Sequence, residues 1–153
     1  MNIYHQAITG NETRDTDSPR AALIDFYRAF NHRDFHRMQS NWMQSEHASM
    51  SNPLGGIKRG WSAIEEVYKK IFEGSATVYV EFFDYSMHVT DTMFVAAGRE
   101  RGTLAIEDNN LDLSIRTTRI FTLIENRWKQ LHHHGSMDSP ELLSHYQRIL
   151  TGQ

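Results

Sequence analysis

The stretch that decides the fold is Thr118-Arg119-Ile120-Phe121-Thr122-Leu123-Ile124, a break at Glu125-Asn126, and then Arg127-Trp128-Lys129-Gln130-Leu131-His132-His133-His134-Gly135-Ser136. β-Branched and aromatic residues alternate with polar ones on both sides of a short turn signal, which is the pattern of a long antiparallel hairpin. Residues opposed across a hairpin have a constant index sum. This turn therefore sets Leu123 against Trp128, Phe121 against Gln130, Arg119 against His132 and Thr117 against His134, all on one face. Because that face also carries Ile115, it is expected to be the helix-covered side, with Arg116, Thr118, Thr122, Lys129 and His133 on the other. An arginine and two histidines then point into an apolar interior, and His133 reads as a surface residue.

Outward from this hairpin the same period of two continues. The runs Thr77 to Val89, Met93 to Ile106 and Leu111 to Ile124 are broken by Thr90-Asp91-Thr92 and by Glu107 to Asn110, giving an antiparallel meander. Earlier in the chain the period is helical. Ser18-Pro19 is a cap followed by proline at the first helical position, and Leu23, Phe26, Tyr27 and Phe30 form one apolar stripe. Asp34 can cap a short second helix bearing Phe35, Met38 and Trp42. A brief strand around Ala48 to Met50 leads into the turn Asn52-Pro53-Leu54-Gly55-Gly56, and Ser62-x-x-Glu65 reads as a capping box opening a third helix. Ser139-Pro140 starts a last helix. Helices followed by a strongly bent sheet make an α+β domain in which the helices cover one sheet face.

Composition narrows the function. At 153 residues with 39% hydrophobic and 23% charged residues, the chain is one domain with one core. A net charge of −3, with no basic run longer than Lys58-Arg59, excludes the electrostatic footprint of a nucleic-acid or anionic-membrane binder. Zero cysteines exclude disulfides, thiolate zinc sites and a cysteine nucleophile. The polar start, Met1 to Ser18, lacks the features of a secretory signal, so a cytoplasmic location is expected. Neither a phosphate-cradling glycine loop nor a Gly-x-Ser-x-Gly elbow is present, and no cofactor is expected.

Among candidate site residues, Arg119 is the most informative, since no acidic mate is apparent on its face. Arg99 falls on the same face as Phe82 and Asp84, with Asp84 in reach. A three-residue connection after Glu107 sets Arg99 opposite Arg119; a one-residue change or a bulge puts them on opposite faces, and Gly98 hints at such an irregularity. His132-x-His134 projects two imidazoles the same way, but no third ligand is apparent and no metal is expected.

The order helix, short helix, strand, Asn52-Pro53-Leu54-Gly55 turn, helix and four long strands resembles the NTF2-like superfamily, specifically its SnoaL-like and ketosteroid-isomerase-like members. The resemblance covers about Ser18 to Ser136. Its most specific part is the hairpin from Thr118-Arg119-Ile120-Phe121 to His132-His133-His134-Gly135-Ser136, which also resembles the association domain of calcium/calmodulin-dependent protein kinase II, as does Met87-His88-Val89 with Asp91 to Arg99. The resemblance implies a cone-shaped domain over residues 18–137, a C-terminal helix of the same domain over 138–153, and a flexible tail over 1–17. It also implies that Arg99 and Arg119 line a cationic cavity inside the cone. In the steroid isomerases the position before the Pro-x-Gly turn is an aspartate base; here it is Asn52, whose amide cannot take a proton at neutral pH.

Two function classes follow. The first is a binding module without chemistry, whose pocket of Arg119, Arg99, His132, His134, Trp128, Tyr27 and Asn52 holds a small anionic or polar organic ligand. The second is a ketosteroid-isomerase-like or SnoaL-like enzyme, an isomerase or lyase, with His134 or His132 as acid-base and Arg119 stabilising oxyanion charge. A homodimer or larger homo-oligomer is expected through an open sheet face carrying Phe94, Ala96, Leu104, Ile106, Ile120 and Ile124.

Overall fold

In the computed structural model, which describes residues 2–13 and 17–151, the chain runs β1 (Ile3–Tyr4), α1 (Pro19–Asn31), α2 (Phe35–Asn41), β2 (Ser49–Ser51), β3 (Lys58–Arg59), α3 (Trp61–Glu73), β4 (Thr77–Val89), β5 (Met93–Ile106), β6 (Asn109–Ile124), β7 (Arg127–Met137) and α4 (Pro140–Thr151). The strands form one sheet in the order β1-β4-β5-β6-β7-β2-β3. All pairings are antiparallel except β2 with β7, which is parallel. No helix among the described residues is long and apolar enough to cross a membrane.

Local chemistry sets the helix starts. The Ser18 hydroxyl accepts from the Ala21 amide at 3.1 Å, the Asp34 carboxylate from Arg37 at 3.0 Å and the Ser139 hydroxyl from Leu142 at 3.1 Å, so three helices open on a side-chain cap. The capping box expected at Ser62 is not used. Instead α3 starts at Trp61, behind Gly60 at φ 84° with no side-chain cap. Trp61 packs near Phe35 and Trp42, each with ring centroids 6.5 Å away, and this anchor brings the chain into helix before Ser62.

The start of the chain, expected as a flexible tail, docks on the sheet edge. Ile3 and Tyr4 pair with Ser86 and Tyr85, and Ile8 exchanges backbone hydrogen bonds with Phe82 at 2.7 and 2.9 Å while fully buried in the core. Arg28 locks this segment by donating to the carbonyls of Gly10 and Glu12, both at 2.6 Å. Residues 14–16 of that stretch lie outside the described ones.

Two bulges fix which side chains face the helices. In β4–β5, Phe83 pairs with Arg99 and Ser86 with Ala97, so Asp84 and Tyr85 together oppose Gly98. Asp84 sits at φ 48°, and a Cβ on Gly98 would lie 2.5 Å from that of Tyr85, which is why glycine stands there. In β6–β7, Phe121 pairs with Gln130 but Ile120 pairs with His132, leaving Leu131 as the extra residue. The hairpin turns are tight. Glu125 and Asn126 both have positive φ, and Ile106 pairs with Asn109 across a two-residue turn. That last register places Phe94 opposite Phe121, Ala96 opposite Arg119 and Leu104 opposite Leu111. Phe94, Ala96 and Leu104 are therefore fully buried in the core rather than on the open face expected for them, and Ile106 lines the interior too. Of that expected patch, Ile120 and Ile124 lie on the outer side.

Candidate functional site

Between the concave sheet face, α1, α3 and α4 lies a cavity of about 560 Å³. Its walls are apolar: Phe30 from α1, Val67 and Ile71 from α3, and Val78, Leu104, Ile106, Leu113 and Ile115 from the sheet. Exposed Leu54 and Lys70, with Leu150 of α4, border its outer end. The inner end carries Arg119, Glu100 and His133, beside Phe26 and Tyr68. Strand alternation on β5, β6 and β7 brings these three side chains to the inner face together.

Arg119 is 2% exposed and each of its three nitrogens donates: Nε to the Tyr27 hydroxyl at 3.2 Å, Nη1 to Gln130 Oε1 at 2.8 Å and Nη2 to Glu100 Oε2 at 3.3 Å. Its guanidinium lies 3.5 Å from the Phe26 ring centroid, a cation–π contact. Gln130 is held in turn by donating to Asn41 Oδ1 at 3.0 Å, and Asn41 donates to the Ala22 carbonyl of α1 at 3.0 Å. Glu100, 5% exposed, accepts from the Thr117 hydroxyl at 2.7 Å on its other oxygen. Burial works against the Arg119 charge, but Tyr27 and Glu100 outweigh it, so the guanidinium is held above its ordinary value and stays charged. Burial raises the Tyr27 and Tyr68 phenols, which stay protonated.

His133 pairs with Arg119 across the sheet and is 6% exposed. Burial first, then the neighbouring Arg119 charge, pushes its imidazole well below the usual histidine range, so it is neutral at neutral pH. Its Nδ1 is enclosed by protein, away from the cavity surface, and the Thr118 backbone bonds the ring. Gly135 makes room for the ring, since a Cβ there would lie 3.2 Å from His133 Cε1 and Nε2.

The structure brings together only part of the expected site. Arg119 and Asn52 line the cavity, although Asn52 spends its side-chain oxygen on the Leu54 amide at 3.1 Å within its own turn. Tyr27 stands behind Arg119 and orients it. The Leu131 bulge reverses the expected facing of the three histidines: His133 points inward, while exposed His134 and half-buried His132 lie on the outer face, where His132 Nδ1 meets the Ser49 hydroxyl at 2.7 Å. Neither can act as acid-base in the cavity. Arg99 is likewise turned outward by the β4 bulge. It is 51% exposed and bridges Asp84 at 3.4 Å and Asp138 at 3.6 Å, so the expected acidic neighbour is present but on the opposite face. Trp128 packs on Phe94 with ring centroids 5.1 Å apart and borders a separate polar cleft with α1 and α2. Glu100 is the acidic mate Arg119 was expected to lack. Alternation puts Glu100 on the face of Phe94 and Leu104, which was expected to be the open one, so the sequence did not reveal it as an inner residue.

The SnoaL-like domain model matches residues 20–140. No curated protein matches the chain. Among solved structures, one described as a calcium/calmodulin-dependent protein kinase type II association domain from Thiobacillus denitrificans has 20% identity and a TM-score of 0.66, covering 83% of this chain and 100% of that one. A structure described as a dehydratase of the NTF2-like family from Streptomyces avermitilis has 21% identity and a TM-score of 0.70, covering 82% and 99%. A protein with a cystatin-like fold from Caulobacter vibrioides has 18% identity and a TM-score of 0.66, covering 89% and 97%. At these identities the likeness shows an NTF2-like, cystatin-like fold.

Proposed function

Since the chain belongs to the SnoaL-like domain family, we propose that it is a binding module whose cone holds one small organic ligand, polar end inward at Arg119 and apolar body against the walls. The observation that carries this reading is the cavity of about 560 Å³, whose buried polar groups converge at one end of otherwise apolar walls. Arg119 is fixed by Tyr27, Gln130 and Glu100, so its remaining N–H donors are oriented before a ligand arrives, which lowers the ordering cost of binding. The test is a thermal-shift screen of small aromatic and alicyclic compounds on wild type and on Val67→Trp, which fills the cavity from α3 without touching Arg119. Stabilisation in wild type and its loss in Val67→Trp support the reading. Stabilisation that survives in Val67→Trp places the ligand elsewhere and overturns it.

A second reading rests on His133. A neutral imidazole that lines the cavity, paired across the strands with a charged guanidinium, has the parts of an acid-base and oxyanion-stabilising couple. In this reading the isomerase or lyase role passes from His132 and His134 to His133. Turnover would then rise with pH through an inflection below the usual histidine value of about 6.5 and vanish in His133→Gln. Turnover unchanged in that variant removes this reading.

A further inference from the structure

The charge at the inner end of the cavity is already balanced. Arg119 and Glu100 are 2% and 5% exposed, meet at 3.3 Å, and line the same cavity. A guanidinium without a mate would attract an anion, whereas here an entering carboxylate brings a second negative charge beside Glu100 with no cation left over to match it. Lys70 at the outer end is exposed and screened by solvent, so it does not change the balance at depth. What the inner end lacks is a neutral partner. Arg119 keeps spare N–H donors, which a neutral acceptor can take without adding charge. A hydroxyl oxygen is such an acceptor.

The geometry points to an uncharged ligand, a mainly apolar alcohol whose hydroxyl oxygen accepts from Arg119, with Glu100 as the residue that excludes carboxylates. This deepens the cavity-binding reading above and rests on it. It also narrows the anionic or polar ligand expected from the sequence, because that expectation took Arg119 to be unmated. The selectivity is a difference of affinities set by an introduced repulsion, and Glu100 supplies it.

The test uses cinnamyl alcohol and cinnamate, which share one apolar frame. Each is titrated into the 153-residue chain at neutral pH and followed by the NMR signals of the Arg119 Nε–H and the His133 ring. Wild type is expected to bind the alcohol at least about tenfold more tightly than the acid. In Glu100→Gln, which keeps an acceptor for Thr117, cinnamate should tighten by at least about tenfold while the alcohol stays within a few-fold. If Glu100→Gln fails to fold, Glu100→Gln combined with Arg119→Met takes its place; with both charges gone the alcohol should weaken as its Arg119 contact is lost and cinnamate should gain nothing, and a gain for cinnamate would overturn the inference. Wild type binding cinnamate as well as the alcohol, with the inner-end signals shifted by both, overturns the inference and leaves the cavity reading standing. If neither compound moves those signals, the cavity reading falls and the inference with it.

Discussion

Replacing Arg119 by Met should destabilise the protein strongly, and the second substitution Glu100→Gln should restore much of the loss. Methionine roughly conserves volume, so packing against Phe26 is kept and the effect is electrostatic. The guanidinium leaves behind a carboxylate only 5% exposed, with the Thr117 and Tyr27 hydroxyls as its remaining partners, and its loss also removes the donor from the Tyr27 hydroxyl and from Gln130 Oε1. Removing one partner of a buried pair costs about 3–5 kcal/mol, because the other charge is stranded. Against a typical total stability of about 5–15 kcal/mol, that is a large fraction. For a chain of this length it corresponds to a fall in melting temperature of roughly 10–15 °C. Making Glu100 neutral removes the stranded charge, so the double variant should recover at least about half of the loss. Urea unfolding of wild type, both single variants and the double variant measures all four corners of the cycle. If Arg119→Met is as stable as wild type, the pair is not holding the inner end of the cavity together and the reasoning fails.

Ile8→Ala should cost about 2–5 kcal/mol, as expected for a fully buried aliphatic side chain, and calorimetry showing no change would return the start of the chain to a loose tail. Because the folded-state pKa of His133 is depressed, its contribution to stability is fully present above the unfolded value of about 6.5 and is lost as pH falls from there toward the folded value. The urea midpoint should accordingly drop between about pH 7 and about pH 5, with a smaller drop in His133→Gln. Two copies should associate through the outer sheet face, where Met93 and Ile124 are exposed and Ile120 is half-buried; light scattering at a molar mass near that of one 17.8 kDa chain at all concentrations would contradict this.

The architecture was legible because period and caps agree along most of the chain. Ser18-Pro19, Asp34 and Ser139-Pro140 announce helices that form, and the alternation across Glu125-Asn126 gives the true register as far as Phe121 with Gln130. What failed was parity beyond the bulges. The three consecutive histidines carry no inward and outward contrast, so nothing in the pattern reveals that Leu131 is the inserted residue. At Gly98 the irregularity was readable, but not its direction. Glu100 was hidden for a different reason. Its inward neighbours on β5 are Gly98 and Gly102, which give no apolar signal, while the adjacent charges of Arg99 and Arg101 make the segment look like an exposed one.

A crystal structure of the protein soaked with cinnamyl alcohol tests the central claim most directly. The account predicts density for one molecule inside the cone, its ring against Leu104, Leu113 and Ile115 and its hydroxyl within hydrogen-bond distance of Arg119. A fully formed, solvent-filled cone with the compound bound instead on the outer face near His132 and His134, or in the cleft beside Trp128, would contradict it.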